Sequence, residues 1–154
     1  MDRINWFWGE QRRDATFFKI EDKVYFGTGE TNGQYLTDFW AFDLTSEKWI
    51  PLLDLDEEDD YSIVRSNSVG FNIGSYGYLA TGKGGIGGAM NSVWEYDPVR
   101  DYWEEKAAFE GVAREGAVGF CNGAVAFLST GKSGTLYLDD TLEFFPFQEE
   151  DEDD

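Results

Sequence analysis

The sequence predicts an all-β chain built from a repeated unit of about 50 residues. Three observations carry this reading. The stretch "TDFWAFDLTSEKW", Thr37 to Trp49, has a second copy in "NSVWEYDPVRDYW", Asn91 to Trp103, and in both an aromatic (Phe42, Tyr96) precedes a Trp by seven positions. Three arginines, Arg12, Arg65 and Arg114, are each followed six positions on by Phe18, Phe71 and Phe120, and 17 positions on by the glycine of a Thr-Gly pair, Gly29, Gly82 and Gly131. Short runs that alternate apolar and polar residues lie between turn residues, and no long stretch has the spacing of an amphipathic helix.

Taken in order, each unit opens on an apolar strand: "ATFFKI", "SVGFNI", "AVGFC". A two-residue turn follows, Glu21-Asp22, Gly74-Ser75 or Asn122-Gly123; Asn-Gly suits a tight hairpin because both positions tolerate positive φ. The second strand, "KVYFGTG", "YGYLATG" or "AVAFLSTG", ends on the glycine and a polar loop. The third strand is "DFWAFDL", "SVWEYDP" or "DTLEFFP", and the fourth, "KWIPLL" or "YWEEKA", carries Trp49 or Trp103. Pairing Phe42 with Trp49 and Tyr96 with Trp103 on facing strands predicts aromatic packing between neighbouring sheets.

A unit of four strands and about 50 residues has the size of one propeller blade. The Arg, the glycine 17 later, the third-strand aromatic and the Trp seven beyond it resemble the kelch-repeat family. The wording "DFWAFDL" and "VWEYDP" is similar to bacterial kelch proteins. Most kelch repeats carry Gly-Gly where this chain has Thr-Gly. The resemblance runs from Asn5 to Phe147 and implies three four-stranded antiparallel blades: blade one over 12–53, blade two over 65–108 and blade three over 114–147. The third unit lacks its Trp strand and runs into the acidic tail 148–154. The segment "INWFWGE", expected as a strand over 4–9, has no partner of its own, and Trp6 or Trp8 would stand where Trp49 and Trp103 stand. Three blades are too few to close a ring of the usual 4–8 or so. The expectation is a homodimer completing a six-bladed ring, with each N-terminal strand closing the third blade of the other copy; a fragment of a longer propeller is the alternative.

Composition narrows the function. With 31 acidic against 12 basic residues the net charge is −19, which argues against phosphate-mediated binding of nucleic acid and fits a basic partner. The chain contains no histidine, which removes Ser-His and Cys-His catalysis and imidazole metal sites. The one cysteine, Cys121, reads as a small buried hydrophobe. No apolar run reaches the roughly 18 residues of a membrane helix, and no signal peptide is evident, so compartment is open; the resemblance implies an extracytoplasmic setting. "GKGGIG", Gly82 to Gly87, has dinucleotide spacing but leads into loop and strand, not a helix. "GKS", Gly131 to Ser133, lacks the earlier glycine of a phosphate loop. Asp54, Asp56 and Glu58 alternate as in a calcium loop, but Asp59 stands where Gly belongs and Arg65 where Glu does.

The resemblance places Arg12, Arg65 and Arg114 at the end of the inter-blade connection, near one mouth of the channel. There, with Glu115, they would meet carboxylates of a peptide or an acidic sugar; the other reading has them bonding loop carbonyls or a nearby acid such as Asp14 or Glu115. The expected function is a non-catalytic recognition and assembly module, with no cofactor. The alternative is a sugar enzyme of the sialic-acid mutarotase type, working through Arg65, Arg114 and Glu115.

Overall fold

In the computed structural model the described residues are 1–2, 6–84 and 87–146, and among them every regular element is a strand. The first sheet contains β1 (Thr16–Ile20) and β2 (Lys23–Gly27); a small hairpin of β3 (Glu30–Thr31) and β4 (Gln34–Tyr35) interrupts it; β5 (Phe39–Asp43) and β6 (Lys48–Pro51) complete it. The second repeats this plan with β7 (Val69–Ile73), β8 (Tyr76–Ala80), the hairpin β9 (Lys83–Gly84) and β10 (Gly88–Ala89), β11 (Val93–Asp97) and β12 (Tyr102–Lys106). The third holds β13 (Val118–Cys121), β14 (Ala126–Ser129), the hairpin β15 (Lys132–Ser133) and β16 (Leu136–Tyr137), and β17 (Thr141–Phe144). Pairing is antiparallel, in the orders β1-β2-β5-β6, β7-β8-β11-β12 and β13-β14-β17. The first two sheets are the expected four-stranded units, and the third has three strands among the described residues.

Strand alternation gives each sheet two apolar faces, and the sheets stack through them. Phe18, Ile20, Tyr25, Phe39 and Ala41 of the first sheet form one core with Leu79, Trp94, Tyr96 and Trp103 of the second. On the opposite face of the second, Val69, Phe71, Ile73, Tyr78, Ala80 and Val93 meet Ala126 and Leu128 of the third, with Leu142 and Phe144 packed alongside. The opening strands β1, β7 and β13 lie next to one another in that order. Glycine sets the approach at these joints: a Cβ on Gly70 would collide with the Phe17 carbonyl oxygen, and one on Gly77 with the Phe18 ring.

The expected Tyr96–Trp103 pair is directly cross-strand, with ring centroids 4.9 Å apart, and Trp103 is buried. Phe42 and Trp49 pair likewise at 5.0 Å. Trp49, however, is only half-buried, because its face of the first sheet has no further sheet against it among the described residues.

The N-terminal segment differs from its expectation. Residues 4–5 of the expected strand 4–9 lie outside the described residues, and 6–9 belong to no strand. Trp6 and Trp8 are exposed in the single chain. Phe7 is the inserted ring, 5.3 Å from Phe26, 5.5 Å from Trp40 and 4.8 Å from Trp49. It stands five positions before Arg12, as Phe109 stands before Arg114, and each ring lies 5.4 Å from its guanidinium. Residues 7–12 therefore act like the connection that enters a sheet, not like its outer strand. Residues 85–86 of "GKGGIG" and the tail 148–154 also lie outside the described residues; the rest of "GKGGIG" lies in or beside the β9–β10 hairpin.

Candidate functional site

The three arginines sit at equivalent places, and all point inward. Arg65 and Arg114 are fully buried, and the Arg12 side chain is 2% exposed. Each sends one guanidinium nitrogen to the carbonyl oxygen 16 residues on: Arg12 to Thr28 at 3.1 Å, Arg65 to Thr81 at 2.9 Å and Arg114 to Thr130 at 3.0 Å. The other donors find a side chain just before the third strand. Arg12 meets both oxygens of Asp38 at 2.6 Å, and Arg114 forks onto Asp140 at 2.5 and 2.8 Å. Arg65 has Ser92 there, donates 2.9 Å to its hydroxyl, and bonds the Ile63 and Ser62 carbonyls. Burial pushes the Arg65 pKa down to about 10, still far above neutrality, so Arg65 is a cation held by carbonyl and hydroxyl dipoles.

These contacts hold the guanidinium groups inside the chain and not at an open surface. Their donors are spent on carbonyls and acids within the chain, as in the loop-carbonyl reading, although the acids are Asp38 and Asp140 and not Asp14 or Glu115. Glu115 does not join Arg114; its carboxylate lies 3.4 Å from Lys132. The signal for Asp38, Ser92 and Asp140 was in the sequence, one residue before each third strand, but it needed the arginine's destination to be read.

The Thr-Gly pair is the other half of this unit. Thr28, Thr81 and Thr130 have φ of 59°, 60° and 62°, and Gly29, Gly82 and Gly131 follow at 90°, 109° and 98°. That left-handed turn aims the Thr carbonyl at the arginine. A Cβ on the glycine would lie 2.6–2.9 Å from the carbonyl oxygen of the residue after the arginine, at Arg13, Ser66 or Glu115. Those residues exchange two main-chain bonds with Glu30, Lys83 and Lys132, which anchors the small hairpin in each unit.

The same turn joins one unit to the next. Gly29 N–H donates to the Arg65 carbonyl at 2.8 Å, and Gly82 N–H to the Arg114 carbonyl at 2.8 Å. Closer to the opening strands, Asn67 N–H donates to Asp14 O at 3.1 Å and Gly116 N–H to Asn67 O at 2.9 Å. In the third unit the series stops. Gly131 N–H and the Gly116 carbonyl have no such partner among the described residues, and neither do the Arg12 carbonyl and Asp14 N–H at the other end. At Gly131 the surface opens into a depression of about 380 Å³, flanked by Glu115, Gly116, Lys132 and Tyr137. The outer face of the third sheet beside it exposes Val118 and Phe120, the latter stacked on Phe127 at 5.5 Å.

The acidic stretch proposed for calcium is a folded connection. Leu55 from it and Ile63 just beyond it are completely buried in the core between the first two sheets, and the Tyr61 ring stands 5.6 Å from Trp94. Asp56 and Glu58 are exposed, and among the described residues no three acidic or sulfur side chains converge on a point that could hold an ion. Burial, with nearby Asp56 as a further cause, raises the Asp54 pKa. Cys121 is half-buried, its sulfur 3.5 Å from Asn72.

No protein-family model matches the chain, and no curated protein matches it.

Proposed function

We propose that this chain is a non-catalytic recognition and assembly module of kelch type, in which each sheet is a propeller blade and two copies complete a six-bladed ring. One observation carries the reading: two successive joints between sheets use the same glycine-to-arginine main-chain bond and the same kind of apolar face, and both ends of the stack keep the groups such a joint uses. An unsatisfied joint exposes apolar surface and main-chain donors, which a like module covers.

Recognition falls to the small hairpins β3–β4, β9–β10 and β15–β16, which hang from equivalent glycine turns. A net charge of −19 selects a basic protein partner. An acidic glycan and the sugar-enzyme alternative both required presented guanidinium groups, and each of the three is engaged inside the protein. Native mass at micromolar concentration tests the assembly: a species of twice 17.5 kDa is expected, and a monomer at tens of micromolar removes the reading.

A further inference from the structure

We infer that the joint between copies reuses the polar contacts of the internal joints but is held wider by Phe17 and Val24, so that two copies associate reversibly. The inference rests on the dimer reading above and specifies how the two chains meet. At each internal joint the glycine N–H meets the next arginine carbonyl, and the residue two beyond that arginine donates to its counterpart in the preceding unit. The open groups continue this register. Gly131 N–H takes the Arg12 carbonyl of the second copy, whose Asp14 N–H takes the Gly116 carbonyl. Main-chain segment 11–14 of the second copy then enters the depression at Gly131.

The apolar faces do not continue the pattern equally. Five positions beyond the arginine, the second and third units have Gly70 and Gly119, and the first has Phe17. A Cβ on Gly70 would collide with the Phe17 carbonyl, and one on Gly119 would stand 3.0 Å from Val69 Cβ. Twelve beyond, the series is Gly77, Ala126 and Val24; a Cβ on Gly77 would strike the Phe18 ring, and Ala126 is fully buried. Phe17 is 64% exposed on the leading face of the first sheet, opposite the place where Val118 of another copy would arrive. Both substitutions add bulk where the internal joints require closest approach. The closing joint therefore keeps its main-chain bonds only with less apolar contact, which shortens the lifetime of the assembly.

Two measurements on the full chain test this. Thr16 and Ser68 touch through their hydroxyls across the first joint, and the equivalent pair across the closing joint is Val118 and Ala15 of the second copy. A chain carrying Cys121→Ser, Ala15→Cys and Val118→Cys, oxidised mildly, is expected to run as a covalent dimer on a non-reducing gel, while Thr16→Cys with Ser68→Cys links within one chain. Phe17→Gly, or Phe17→Ala where the glycine variant folds poorly, is expected to tighten dimerisation by about tenfold or more in Kd. A dimer that forms no Ala15–Val118 link, or that Phe17 truncation weakens, overturns this joint and leaves the dimer itself standing. A chain that stays monomeric in every form overturns both.

Discussion

Arg65 shows how a charged side chain serves as scaffold. Its guanidinium is wholly buried and faces five main-chain or hydroxyl acceptors, with no carboxylate in hydrogen-bond reach. Removing it leaves the carbonyls of Ser62, Ile63 and Thr81 without a donor, so Arg65→Ala is expected to cost about 3–5 kcal/mol in denaturant titration; a loss below about 1 kcal/mol would return Arg65 to the list of ligand-binding candidates. Gly82 is its backbone counterpart, with φ of 109° and room for no Cβ within 2.8 Å of the Ser66 oxygen. Gly82→Ala is expected to lose about 1–3 kcal/mol. Asp140 gives the pH signature. Arg114 holds its carboxyl below the usual carboxylate range, so its contribution is complete above the unfolded-state pKa near 4 and fades as pH falls through the lower, folded-state value. Melting curves of wild type and Asp140→Asn should therefore converge as pH drops from 7 towards 3, and a gap that widens on acidification would contradict the pair. The arginine spacing was visible in the sequence, but the direction of the side chains was not. An Arg before a strand reads equally as a presented cation or a buried clamp until its acceptors are located.

At the scale of elements, the period-2 patterning and the turn residues located the main strands: "TFFKI" and "VGFNI" bury alternate residues, and "AVGFC" alternates half-buried with exposed ones. The miniature hairpins after Thr-Gly were read as loops, because two-residue strands such as β9 and β15 carry too little pattern to be seen. In the acidic run 54–60 charge dominates the composition, while the burial is done by Leu55 and, beyond the run, Ile63. In the N-terminal segment Phe7 packs inside the chain, and its offset from Arg12 matches that of Phe109 from Arg114. The two paired tryptophans give an element-level test. Trp103 is 2% exposed between two sheets, touching Phe18 and Phe39, whereas Trp49 is covered chiefly by Phe7 and Phe26. Trp103→Ala is expected to cost about 3–5 kcal/mol, and Trp49→Ala distinctly less in the monomer. Equal losses would mean that the outer face of the first sheet is as well covered as the inner joint.

For the whole molecule, charge and apolar surface act in opposite directions on assembly. Each copy carries −19, so bringing two together raises a repulsion that no contact at the proposed joint offsets, because Gly131 with Arg12 and Gly116 with Asp14 meet through neutral main-chain groups. The attraction comes from Val118, Phe120 and the aromatic face around Phe26 and Trp40, and apolar contact does not weaken when salt screens charge. Raising ionic strength from about 0.05 to 0.5 M shortens the Debye length from roughly 14 to 4 Å and relieves the repulsion alone. The dimer dissociation constant, followed by sedimentation across that range, is therefore expected to fall as salt rises. Binding of a basic protein to the hairpin side should move the opposite way, since there the charge attracts. The two slopes separate assembly from recognition in one preparation. A dimer that dissociates on adding salt would place ion pairs at the joint, and the neutral main-chain contacts proposed for it would have to be abandoned.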